Sequence, residues 1–160
     1  MPERARPRFP SVYGIHEGAE GLLDWSWAEE RLGAARNYWV CTSRPDGRPH
    51  AMPVWGLWHS GAFYFSSSPD SRKARNLAAN PAVSVHLESG DEVVIVDGLA
   101  SLEADEELLE QLGAEYTRKY SFEVSFTGGR PLHVVWPRVV YAWLEEDFPA
   151  TATRFTFPAE

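Results

Sequence analysis

The sequence predicts an α+β protein, mainly β, in which antiparallel strands form a barrel and two longer helices and one short helix are set between them. Three observations predict it. β-branched and aromatic runs of strand length are separated by Gly, Pro, Asn and Asp turn signals, so the strands follow one another as hairpins. Two segments, opening at Asp24 and at Ala104, carry apolar residues at helical spacing instead. A third, after Phe65, breaks from an aromatic run into serines, Pro69 and Asp70 and resumes with helix-forming residues.

The elements follow in order. Residues 1–20 hold three Pro, three Arg, Gly14 and Gly18 and read as an irregular arm lying over one domain, 21–160. Trp25, Ala28, Leu32 and Ala35 mark a helix ending near Asn37. The run 38–43 is a strand, reversed by Arg44-Pro45-Asp46-Gly47-Arg48 into a second strand from His50 to Trp58. Pro53 interrupts that strand and removes a ladder donor, which makes it an edge or a bulge. After the turn His59-Ser60-Gly61, Ala62–Phe65 leads into the short helix, which Asn80-Pro81 ends. Val83, Val85 and Leu87 alternate with polar residues as a half-buried strand, and Ser89-Gly90-Asp91 turns it into Glu92–Leu102, whose Val93–Val96 reads as buried on both faces. A helix over 104–120 puts Leu108, Leu109, Leu112 and Tyr116 on one side. Strands from about His133 to Leu144 and near Arg154–Phe157 complete about six in all.

Composition limits the function classes. At 160 residues, 44% hydrophobic and 24% charged, the chain buries a core without disulfides. A net charge of -8 and no long basic run argue against a nucleic-acid partner. No apolar run approaches a membrane span and no signal-peptide core opens the chain, so the reading is a soluble cytoplasmic protein without a membrane partner. Cys41, the single cysteine, lies in an apolar stretch and reads as packing. Seven Trp in a 13% aromatic chain leave rings for a site or a subunit interface.

The short helix carries the chemistry. Its first turn places Ser71, Arg72 and Lys73 where free N–H groups and the helix dipole favour an anion. First turns ordinarily prefer acidic residues, so cations there point to a phosphate; the alternative is a plain N-cap at Asp70 or Ser71 with solvated cations. No metal is expected, because the five histidines never pair at ligand spacing and no Cys-x-x-Cys occurs. The serines 66–68 lack the Gly-x-Ser-x-Gly elbow of a hydrolase. The strand His50-Ala51-Met52-Pro53-Val54-Trp55 leaves backbone groups near its proline without ladder partners, open to the edge of a planar heterocycle. Trp55 and Trp58 either flank such a ring or are core.

Three stretches in this order resemble the pyridoxamine 5'-phosphate oxidase-like split barrels that bind flavins: 45–55, then Phe65-Ser66-Ser67 with Ser71-Arg72-Lys73-Ala74-Arg75-Asn76-Leu77, then Pro137-Arg138-Val139-Val140-Tyr141-Ala142-Trp143. The resemblance covers roughly 25–157 and implies a split barrel with a phosphate-binding short helix. It implies cofactor contacts from His50, Met52, Pro53, Val54, Trp55, Phe65, Ser66 and Ser67, with the phosphate on Ser71, Arg72 and Lys73. It further implies a homodimer whose two sites are shared, Trp143 reaching the cofactor across the interface. Three departures narrow the match. The tail Arg154-Phe155-Thr156-Phe157 lacks the histidine with which pyridoxamine phosphate oxidases grip substrate, Glu92 stands where they carry a flavin-contacting glutamine, and His50 and Trp55 replace an arginine and a lysine. The pattern is closer to the deazaflavin branch that uses coenzyme F-420. The expectation is a reductase passing hydride from reduced F-420 to a small planar or conjugated acceptor, with the catalytic residues unassigned. The alternatives are an FMN-dependent oxidoreductase and a non-catalytic flavin- or haem-binding storage protein.

Overall fold

The first hairpin is set by local turn chemistry. Gly47 takes φ 85°, a conformation side chains other than glycine rarely adopt. Arg44 N–H donates to Arg48 O at 2.9 Å and Arg48 N–H to Asp46 Oδ1 at 3.1 Å. From such elements the computed structural model, which describes residues 1–159, builds the following order. The strands are β1 (Glu3–Ala5), β2 (Tyr38–Ser43), β3 (Pro49–Val54), β4 (Leu57–His59), β5 (Ala62–Ser66), β6 (Ala82–His86), β7 (Glu92–Leu102), β8 (Leu132–Leu144) and β9 (Thr153–Thr156). The helices are α1 (Trp25–Ala34), α2 (Arg72–Ala79), α3 (Glu106–Tyr120) and the single turn α4 (Phe148–Thr151). None of the described helices is long and apolar enough to cross a membrane.

All strand pairs are antiparallel, along the path β3-β2-β6-β7-β8. β8 is the divide. Its Leu132–Val135 half pairs with β5, its Val139–Ala142 half pairs with β9, and its other edge follows β7. The switch is a bulge: Asp97 faces Val139 while Gly98 faces Pro137, so Arg138 is the extra residue. A Cβ on Gly98 would lie 2.3 Å from the Trp136 carbonyl oxygen, so the close approach requires glycine. The barrel path thus runs from β3 to β4, two consecutive strands with no ladder between them among the described residues. This is the split of the barrel.

The structure revises three expectations. Pro53 sits in register opposite Trp39 on an edge strand, and the expected strand His50–Trp58 breaks instead at Trp55-Gly56. A Cβ at Gly56 would meet the Phe63 ring at 2.4 Å, Tyr120 Oη takes its N–H at 2.9 Å, and Lys119 Nζ donates to its carbonyl at 3.0 Å. Burial, reinforced by Arg36, pulls the Lys119 ammonium down to about 8. Second, the described residues form nine strands, more than the six or so expected, in part because that run divides and because residues of the expected irregular arm pair with β9 as β1. Arg6 straps the arm down by donating to the carbonyls of Gly18, Ala150, Ala152 and Glu20. Third, Cys41 is half-exposed on the outer face, since Val40 and Thr42 take the inward positions of β2. The barrel interior is filled by Tyr38, Val40, Phe63, Phe65, Val85, Val96, Val140 and Phe155, with Ala28 and Leu32 of α1 against it. α3 closes a second cluster over Leu57, Tyr64, Leu132 and Val134.

Candidate functional site: a cationic cradle at the start of α2

The aromatic run of β5 ends at Ser66, whose Oγ donates to Pro131 O at 3.0 Å. The chain then turns, Ser71 N–H donating to Ser68 O at 3.0 Å. Ser71 is the N-cap: its Oγ accepts the Ala74 N–H at 3.2 Å and sits 2.6 Å from Ser67 Oγ. The plain N-cap reading is present, and the cap leaves the N–H groups of Arg72 and Lys73 free among the described residues, with no acid in the first turn.

The cations there are not solvated singly. The neighbouring Arg75, with burial, Arg44 and Arg48, lowers the affinity of Arg72 for its proton. Burial pushes Lys73 down. Burial, then Arg44, Lys73 and Arg72, pushes His50 down. Arg44 and Arg48 flank the β2–β3 turn, so the hairpin brings them to the helix start; Asp46 pairs with Arg48 at 2.9 Å. Three buried side-chain atoms have no partner among the described residues: His50 Nδ1, Asn76 Oδ1 and His133 Nδ1. Asn76 is fully buried on α2 and its amide donates to Thr42 Oγ1 at 3.0 Å. His133 stacks on Phe65 at 5.0 Å and feels the charge of Lys73. Orphaned buried polar atoms cost about 1–3 kcal/mol each, and a phosphate with a hydroxylated chain is the kind of group that pairs them.

The remaining predicted residues separate into groups. His50, Met52 and Val54 share the face of β3 opposite Thr42, Val40 and Tyr38, with Met52 44% exposed at the open edge. Pro53 points to the other face. Phe65 is fully buried and sits opposite His133 in the β5–β8 ladder. Trp55 stacks on Tyr120 at 4.5 Å and lies near Tyr116 and Phe122, on a ledge of α3. Trp58 turns the other way, donating to Glu29 at 3.3 Å and meeting Trp25 edge-on, so the two tryptophans do not flank one ring. Trp143 packs on Phe148 and Phe9 at the far end of β8, about 33 Å along the strand from His133. One chain does not unite it with Lys73. Residues the sequence reading missed are Arg44, Arg48, Arg75, Asn76 and His133. The one local signal was an asparagine inside a helix, where that residue is a poor choice without a partner.

Two expected outcomes follow from this geometry. Ser71→Ala loses the cap and about 1 kcal/mol of stability, whereas Ser71→Asp keeps the cap and places a negative charge in the cradle. Urea unfolding and phosphate-ligand titration of the pair are expected to separate: stability falls only in the first, affinity most in the second. For His50 and His133 the sign follows from their lowered values. The unfolded chain takes up protons near pH 6.5 and the folded chain only below it, so stability is full above 6.5 and falls as pH drops through the window beneath. Urea midpoints on either side of 6.5 are expected to show that loss, and His133→Gln to reduce it.

A family model described as pyridoxamine 5'-phosphate oxidase matches residues 28–144. None of the curated proteins matches the chain. Among solved structures, a conserved hypothetical protein from Mycobacterium tuberculosis is similar at 22% identity and a TM-score of 0.69, over 81% of this chain and 90% of that one. A protein described as an F420 reductase is similar at 24% identity and a TM-score of 0.56, over 70% and 94%. A heme storage protein from Vibrio cholerae is similar at 23% identity and a TM-score of 0.57, over 71% and 86%. These likenesses share the split barrel while their descriptions differ. The family model, spanning well over half of the chain and both strands and helix of the cradle, settles membership: the chain belongs to the pyridoxamine 5'-phosphate oxidase family, whose members bind flavin-type cofactors.

Proposed function

We propose that the protein is a reductase that binds the deazaflavin coenzyme F-420 in the cradle and serves a small planar or conjugated acceptor. The observation that carries this reading is the Ser71-capped start of α2, where the Arg72 and Lys73 N–H groups are free, no acid stands in the first turn, and Arg72 feels the further positive charge of Arg75 and Arg44, in a chain of net charge -8. FMN brings only its phosphate, whereas F-420 adds a carboxylated tail to its phosphate. The surplus of cations over one phosphate favours F-420.

When bound, F-420 supplies the hydride. Arg72 and Lys73 hold the phosphate with backbone N–H groups and side chains, and Ser71 keeps the helix start in place beneath it. Ser67 is oriented by its contact with Ser71 Oγ. The free edge of β3 from His50 to Val54 presents unpaired backbone groups to the polar rim of a ring. Tyr120 and Lys119 hold the Gly56 backbone where the chain passes from β3 to β4.

The proposal includes a homodimer. Pro53, Trp39, His86, Ile95 and Tyr141 lie in one register row across the outer face of the sheet, with Trp39 and His86 stacked at 6.3 Å. An isologous contact over that apolar row buries it and lets Trp143 of a second copy approach the β3 edge. Titration with F-420 and FMN by absorbance and fluorescence, then turnover with enones and quinones, tests the reading. Tight F-420 binding with turnover is expected, from a particle of two chains in sedimentation. Tight FMN binding without F-420 binding overturns the cofactor assignment, F-420 binding without turnover of any acceptor overturns the reductase, and a monomer overturns the shared site.

A further inference from the structure

A second cavity adjoins the cradle. A cavity of about 370 Å³ lies between the β5–α2 loop and α3, lined by Ser66, Ser67, Ser68, Tyr116, Arg130 and prolines 69 and 131. It shares Ser66 and Ser67 with the cradle, and its volume is that of a small ligand pocket. The segment between α3 and β8 is fixed where it forms this wall. Val124 N–H donates to Thr117 Oγ1 at 3.3 Å, Phe126 is buried against α3, and Ser66 holds Pro131 O. Tyr116 is held from two sides, edge-on to Phe126 at 5.4 Å and tilted to Tyr120 at 4.8 Å, so its ring is a rigid wall.

Arg130 brings a charge that no described residue pairs with. It forms no ion pair among the described residues, and its field reaches the Tyr116 phenol. Arg130 lines this cavity with Tyr116 and the serines, and it is not among the charges felt at Arg72 or His50. An exposed arginine over a wall of serine hydroxyls and one tyrosine suits a flat molecule with a single anionic end.

We infer that the acceptor of the proposed reductase is a planar conjugated molecule carrying a carboxylate-type anion, its body against Tyr116 and its charge on Arg130. This rests on the proposed reductase for the word acceptor alone; the pocket itself stands on its own residues. A neutral acceptor gains nothing from Arg130.

Calorimetric titration with cinnamate and cinnamamide, which share a planar body and differ in charge, tests it on the full chain with and without F-420. Cinnamate is expected to bind about tenfold tighter than the amide, as a charge-assisted hydrogen bond allows. Arg130→Gln is expected to abolish that preference and leave F-420 affinity unchanged, and Tyr116→Leu to weaken both probes. Equal binding of the two probes, or a preference that survives Arg130→Gln, overturns the inference even where F-420 binds. An Arg130-dependent preference in a protein that does not bind F-420 upholds the anion pocket and removes the F-420 assignment instead.

Discussion

Lys73→Ala is expected to weaken F-420 binding by about ten- to a hundredfold, the cost of about 1.5–3 kcal/mol for losing a hydrogen bond to a charged group. The same substitution is expected to leave the ligand-free protein as stable as before, or slightly more so. Lys73 is half-buried, its charge disfavoured by burial, and no carboxylate pairs with it among the described residues. A cation kept where burial opposes it has its return only when an anion arrives. A fluorescence titration and a melting curve on the same variant read both halves. Unchanged affinity would make the α2 start a simple cap; a large fall in melting temperature would make Lys73 part of the scaffold.

Gly98→Ala is expected to be the most damaging single methyl in the barrel, at about 2–4 kcal/mol. At this chain length that is a fall of roughly 4–16 °C in Tm. The added Cβ meets backbone, at 2.3 Å from Trp136 O, and not the far end of a side chain that can swing aside. Relief requires β7 and β8 to part at the bulge where β8 changes partner from β5 to β9. His133 and the β5 end lie on one side of that switch, so cofactor affinity is expected to fall along with stability. Urea unfolding gives the number; a loss under about 0.5 kcal/mol would show that the bulge relaxes freely.

What the sequence disclosed was local. The Asp46-Gly47 turn, the Ser71 cap and the inward alternation of Val83, Val85 and Leu87 depend on residues within a few positions of one another, and all three are present. The break at Gly56 was hidden because its causes, Phe63, Lys119 and Tyr120, are tertiary. Pro53 drew attention instead, yet on an edge strand a missing N–H costs little. The same reason explains the site. Ser71-Arg72-Lys73 is contiguous and readable, whereas Arg44 and His133 reach it only through hairpin and barrel closure. Trp55 and Trp58, three positions apart, point to opposite sides because the chain changes strand between them.

The most direct measurement of the central claim is a crystal structure of the protein with F-420 bound. The expected result places the phosphate within about 3 Å of the Arg72 and Lys73 N–H groups, with the ring along His50–Val54 and against Trp143 of a second copy. A phosphate bound away from α2, with the Arg72 and Lys73 N–H groups still unpaired, would contradict it.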